Sequence, residues 1–387
     1  MSGTESTVAR AFAAALYAQD DHGLDTGASL LAADPAADAE LRLRGVEFVR
    51  RAWERGWQPA DVVRAVRRAL DEHHVRLAAE LVLAEVVRYG EGGLPPRWRG
   101  QLDALEREGA WSSDRFSYAT AVLELYRALL RLPAIEPVGP VPGEPGGPGG
   151  PASALPPPHA GESKVLGRIR ALLAKAEGTN FPDEAEALTA KAQELMARHT
   201  VDEALLASRT PTGETPGACR IGVDAPYETA KAILLDAVAS ANHCRAVWNG
   251  ELGFTTVVGF EADLEQIELL YTSLLVQGTA AMTRAEAEQR AGGRKRTKTF
   301  RQAFLMAYAH RLGGRLAEVG ERVAAAGEGS LLPVLAARDV AVADRADVMF
   351  PKTVRTRVRG VDDAAGWERG TEAADRAAVR GRGRLEG

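Results

Sequence analysis

The run from Pro133 to Gly161, PAIEPVGPVPGEPGGPGGPASALPPPHAG, limits what the chain can fold into more than any other feature. Proline removes backbone donors and glycine raises the entropy of the unfolded chain, so such a stretch cannot build a core. It predicts a tether with polyproline II character over 133–161, and hence a two-part architecture, 1–132 before it and 162–387 after it. At 387 residues, 45% of them hydrophobic and 26% charged, the chain is long enough for two or three domains and too apolar for wholesale disorder. Aromatics make up only 6%, so Ala, Leu and Val must fill the cores, which favours helices. No apolar run reaches the ~18 residues of a membrane span. The start, Met1 to Glu5, lacks the basic and apolar segments of a secretion signal, and Cys219 and Cys244 are too few for a disulfide framework. The expectation is a soluble cytoplasmic protein with no membrane partner.

The first part reads as all-helical. Leu41, Val46, Val49, Ala52 and Trp53 recur at helical spacing, Gly56 to Pro59 break the pattern, and Pro59 suits the first turn of a new helix. Val62, Val63, Val66, Leu70, Val75, Leu77, Leu81 and Val82 carry the rhythm on towards Gly90, and a third stretch covers Tyr118–Leu132. Residues 40–84 have the look of a DNA-binding helix–turn–helix, with Arg64, Arg67 and Arg68 on the second helix. Asp61, Asp71 and Glu72 cancel the field that a phosphate backbone requires, so the reading is an αα-hairpin in a helical bundle. Residues 1–132 are then a protein-interaction module.

After the tether, Lys164–Ala176 is amphipathic through Val165, Ile169, Leu172 and Leu173. Gly178-Thr179-Asn180-Phe181-Pro182 is a capped turn, and a second helix over Asp183–His199 turns Ala185, Leu188, Ala192, Leu195 and Met196 inward. The hairpin's polar residues, Lys175, Asn180, Glu184, Lys191, Glu194 and His199, are explained by caps and surface ion pairs. The run KVLGRIRALLAKAEGTNFPDEAEALTAKAQELMARHTVD (Lys164–Asp202) combines an Ile-x-x-Leu-Leu-x-Lys-Ala helix, a Phe-Pro turn, an acid-Glu-Ala start and Lys-Ala-x-x-Leu-Met. In these motifs it resembles the family known as domain of unknown function 2786, which occurs in actinobacterial and phage proteins. The resemblance implies a helical hairpin over 162–207, an α+β module over 218–387 and a helical accessory domain at 1–132. It implies no activity.

In the last region, Ala218–Val223, Cys244–Trp248 and Phe254–Phe260 read as strands, with Asn249-Gly250 as a turn between the last two. Asp224 and Pro226 open one helix, and Asp263 with Gln266 suggests a cap on another. Helices also cover Thr299–Ala326, the region of Val340–Phe350, and Gly366 to Ala378. The fold class is mainly α with an α+β C-terminal module, in which a small antiparallel three-stranded sheet packs on long helices.

Catalytic motifs are missing from the sequence: no His-Glu-x-x-His helix, no phosphate-binding loop and no Gly-x-Ser-x-Gly elbow. No metal site and no cofactor is expected. Cys244 beside His243 reads as core packing, and Asp339, Asp344 and Asp347 as helix-surface charge. Charge is uneven along the chain. Residues 1–133 hold 17 basic and 20 acidic side chains, residues 134–281 hold 10 and 19, and residues 282–387 hold 21 and 14. The basic excess gathers in two clusters, Arg290, Arg294, Lys295, Arg296, Lys298 and Arg301, and then Lys352, Arg355, Arg357 and Arg359. These are the candidate contacts to DNA, RNA or another polyanion; the competing readings are a solvated loop and a charged edge strand. The expected function is non-catalytic polyanion binding. The alternatives are a hydrolase or nuclease in which carboxylates such as Glu261, Asp263 and Asp344 converge, or a protein-interaction scaffold.

Overall fold

Capping side chains, more than long apolar runs, decide where the helices of the first unit begin. The computed structural model describes residues 5–17, 21–90, 93–105, 113–143, 164–179, 181–209, 214–291, 298–325, 331–354 and 363–376, which form fourteen α-helices and one small sheet. Seven helices belong to the unit Met1–His159: α1 (Thr7–Ala15), α2 (Asp21–Ala33), α3 (Asp38–Glu54), α4 (Pro59–Ala69), α5 (Glu72–Val86), α6 (Pro96–Leu105) and α7 (Arg115–Arg131). Ser6 accepts from Ala9 N at the head of α1, and Asp114 accepts from Phe116 N and Ser117 N at the head of α7. At α4, Gln58 and Asp61 form a reciprocal capping box with Pro59 in the first turn, as its fixed φ favours. The apolar rhythm from Val62 to Val82 is not one helix. Leu70 and Asp71 are extended and divide it into α4 and α5, so residues 40–84 hold three helices where a two-helix hairpin was expected.

Trp53, Trp57, Leu123, Leu125, Tyr126 and Leu129 fill the core of this unit, and the Tyr126 hydroxyl donates to Leu41 O at 2.7 Å. The first residues of the predicted tether are packed against this bundle. Trp57 Nε1 donates to Pro133 O at 2.7 Å, and Ile135 N donates to Arg55 O at 3.0 Å. Gly56 makes the approach possible, because its φ is +94° and a Cβ there would strike the Ile135 carbonyl.

The unit Ala160–Gly387 comprises α8 (Lys164–Gly178), α9 (Pro182–Arg209), β1 (Gly217–Gly222), α10 (Glu228–Ala241), β2 (Arg245–Asn249), β3 (Phe254–Gly259), α11 (Glu261–Ala291), α12 (Lys298–Ala325), α13 (Leu331–Met349) and α14 (Ala364–Arg376). The sheet is antiparallel in the order β1-β3-β2, with Cys219 and Ala246 both opposite Val257. These residues turn to the core, where α10, α11 and α12 supply Leu235, Val238, Ile267, Leu270, Phe304 and Leu312. The alternate face carries Val258 and Arg245, and Arg245 Nη1 reaches Asp347 of α13 at 2.8 Å.

Two local expectations give way to different chemistry. Asn249-Gly250 is not a two-residue turn: β2 and β3 are joined through residues 250–253, Asn249 accepts from Leu252 N and Gly253 N, and the positive φ falls on Gly253. Asp263 does not cap α11. The helix starts at Glu261, and the Asp263 side chain turns into the protein.

Helix α14 runs parallel to α12 at unusually close range. A Cβ on Gly366 would lie 2.5 Å from Phe300 O, and one on Gly370 would press on the Phe304 backbone. At the far end, Arg311 Nε holds Asp375 at 2.6 Å, while Arg315 donates to the carbonyls of Ala374 and Asp375, satisfying the end of α14. Gly370→Ala is therefore expected to destabilise the second unit by roughly 1–3 kcal/mol through overpacking of two backbones that cannot both give way. Thermal unfolding checks this; an unchanged midpoint would mean that α14 does not dock on α12.

Candidate functional site

The contacts between α12 and α14 set the starts of the two helices that follow the basic clusters in sequence. The first cluster leads into α12, whose first residue Lys298 is exposed; the second leads to Asp363, which accepts from Gly366 N at the head of α14. Because Gly366 rests on Phe300, both helices begin at the same pole of the pair. Of the candidate contacts, Lys298 and Lys352 are exposed. Arg301 is committed elsewhere, since its guanidinium grips the buried Glu286 carboxylate through Nε at 3.0 Å and Nη2 at 2.9 Å. Arg290 is the penultimate residue of α11, and its side chain is outside the described residues. Arg294, Lys295, Arg296, Arg355, Arg357 and Arg359 also lie outside them.

Other arginines of the unit meet carboxylates. Arg245 meets Asp347, Arg311 meets Asp375, and Arg369 meets Glu372 and Glu288. These pairs help to hold helices together and leave fewer cations for a ligand.

A second constellation was not predicted from the sequence. Asp263 is 1% exposed, accepts from Thr200 Oγ1 of α9 at 2.6 Å, and accepts from Arg338 Nη2 of α13 at 3.1 Å. The Arg338 guanidinium lies 3.7 Å from the centre of the Phe260 ring. Burial raises the Asp263 pKa, and the hydrogen bond from Thr200 and the charge of Arg338 oppose the shift. One residue further along α13, Asp339 takes a 2.8 Å hydrogen bond with Nδ1 of His243. His243 has φ +57°, the left-handed region that a non-glycine residue adopts only when its surroundings hold it there. The contact with Asp339 raises the His243 pKa, against the effect of burial. Cys244 is packed beneath, its thiol pushed well up by burial and by nearby Asp263, so it remains protonated and acts as a small hydrophobe.

His243 and Asp339 stand on the wall of a groove of about 840 Å³ between α13, the C-terminal half of α12 and the junction of α10 with β2. Its other walls are mainly small apolar residues, among them Ala241, Gly320, Ala324, Leu335 and Val342. The size is that of a small-molecule site, and the imidazole–carboxylate pair shares its lining with the charged Arg245 and Glu321. The carboxylates named for a hydrolase are arranged differently from the sequence expectation. Asp263 is enclosed by Thr200 and Arg338, Asp344 is exposed on α13, and Asp339 is the residue that meets an imidazole. No sequence spacing could have paired residues 96 positions apart.

Residues 164–203 match the family model described as "Protein of unknown function (DUF2786)", a match that covers α8 and most of α9. No curated protein and no solved structure gives a significant match to the chain. No described helix is long and apolar enough to cross a membrane.

The His243–Asp339 contact carries a pH dependence. An imidazole whose folded pKa lies above its unfolded value of ~6.5 adds stability that is fully present below that pH and is lost as pH rises through the folded value. The unit is thus expected to gain from this pair at pH 6 relative to pH 8, and Asp339→Asn to remove the difference. A proton NMR titration of the His243 ring checks it; a midpoint at or below that of a free imidazole would contradict the contact.

Proposed function

We propose that the second unit is a non-catalytic binding module for nucleic acid or another polyanion, and that its ligand sits at the pole where α12 and α14 begin. The observation that carries this reading is the shared anchorage of the two basic clusters: Lys298 opens α12, Asp363 caps α14, and Gly366 against Phe300 keeps those ends together. The aligned helix starts add partial positive charge at the same pole. The contacting side chains are Arg290, Arg294, Lys295, Arg296, Lys298, Lys352, Arg355, Arg357 and Arg359, with Arg301 held back by Glu286 as a structural residue. The unit Met1–His159 acts as a protein-interaction module of a cytoplasmic actinobacterial or phage protein.

Electrophoretic retardation of DNA and RNA fragments at low salt tests the proposal. Replacing Lys295, Arg296 and Lys298 together with Ala is expected to weaken retardation and to flatten the salt slope by about 1 for each phosphate no longer neutralised. Unchanged mobility of both nucleic acids with the intact chain overturns it.

The groove supports a second reading, a hydrolase in which His243 transfers a proton and Asp339 orients the ring. The nucleophile would be water, since Cys244 is buried and protonated. Hydrolysis of a panel of esters and phosphodiesters, abolished by His243→Gln, would favour this reading; an inactive native chain removes it.

A further inference from the structure

We propose that Asp71, His73 and His74, at the head of α5 in the first unit, bind one divalent transition-metal ion of the zinc class, with Glu124 of α7 orienting His74 from behind. One carboxylate oxygen of Asp71 and one ring nitrogen from each histidine lie within 4.8 Å of one another. Ligand atoms around a tetrahedral zinc ion stand ~3.3 Å apart, a separation that side-chain rotation reaches from here.

Local structure explains how neighbouring residues converge. Leu70 is extended, so the chain leaves α4 and turns at Asp71, which takes the N-cap position of α5 without a side-chain capping bond. Its carbonyl accepts from His74 N at 3.0 Å, which fixes the backbone of the first turn. The two imidazole rings lie with their centres 4.0 Å apart and inclined by 37°.

His74 is 3% exposed, its Nε2 lies 3.0 Å from Glu124 Oε2, and its Nδ1 is buried with no hydrogen-bond partner among the described residues. A buried ring nitrogen without a partner is costly. A metal ion on Nδ1 would remove that cost. The Nε2–H donated to a carboxylate is the arrangement by which proteins fix the tautomer and raise the basicity of a metal-binding histidine. Two imidazoles and one carboxylate suit zinc, cobalt(II) or nickel(II) better than the all-oxygen shells preferred by magnesium or calcium. Asp71 is exposed, which gives the ion a route in and leaves room for water to complete its coordination.

Isothermal titration of the full chain with zinc chloride, after chelator treatment and with any affinity tag removed, tests the site. One equivalent is expected to bind. Asp71→Asn and His73→Asn, which change exposed or half-buried positions and leave the core intact, should each weaken binding tenfold or more. Glu124→Gln should weaken it 10–100-fold while circular dichroism stays unchanged, an effect that a purely structural glutamate would not produce. Cobalt(II) should give visible d–d absorption that zinc displaces. Absence of a one-equivalent transition, or an affinity that the Asp71 and His73 variants leave unchanged, overturns the proposal.

Discussion

The buried ion pair between Asp263 and Arg338 is the contact on which the arrangement of the second unit depends. It joins the first turn of α11 to the middle of α13, and Thr200 adds α9 to the same carboxylate. Two charges at 1% and 8% exposure are stable only because each meets the other and the anion has a further donor. Removing either partner would strand a buried charge, at a cost of ~3–5 kcal/mol. Arg338 also fixes the rotational setting of α13. With its guanidinium pinned over Phe260, Asp339 arrives at His243, Asp347 at Arg245, and Leu335, Val342 and Ala346 face inward. The groove and the imidazole–carboxylate pair both follow from that setting.

The basic excess of the C-terminal region acquires a double meaning in three dimensions. Read along the chain, 21 basic against 14 acidic residues suggest a surface for a polyanion. In the fold, Arg301, Arg311, Arg338 and Arg369 hold acidic residues on neighbouring elements, and Arg315 closes the carbonyl end of α14. Arginine serves here first as a fastener between helices, which its planar, always charged fork suits well.

Much of the architecture was legible in the sequence because its determinants are local. Pro59 at a first turn, Pro182 at the start of α9, and the strand-like run of β1 each state their structure within a few residues. The two sites were not legible, for two different reasons. His243 and Asp339 are joined by tertiary packing alone. Asp71, His73 and His74 are close in sequence, but adjacent histidines on a helix diverge unless the backbone breaks beside them, and the break at Leu70 lay hidden inside an unbroken apolar rhythm. Asp263 misled for the opposite reason: its sequence context is a good cap, and a buried partner outcompeted the backbone amides.

The segment that matches the family model ends at residue 203, but its stability does not end there. Three side chains of α9 that are fully or almost fully buried, Thr189, Gln193 and Thr200, meet Gln277, Asn242 and Asp263, all beyond the matched residues. Ile169, Leu173, Ala192 and Met196 are sealed in the same core as α10 and α12. In this chain the hairpin is therefore no self-sufficient cassette: residues outside the matched stretch complete its core and pair its buried polar side chains.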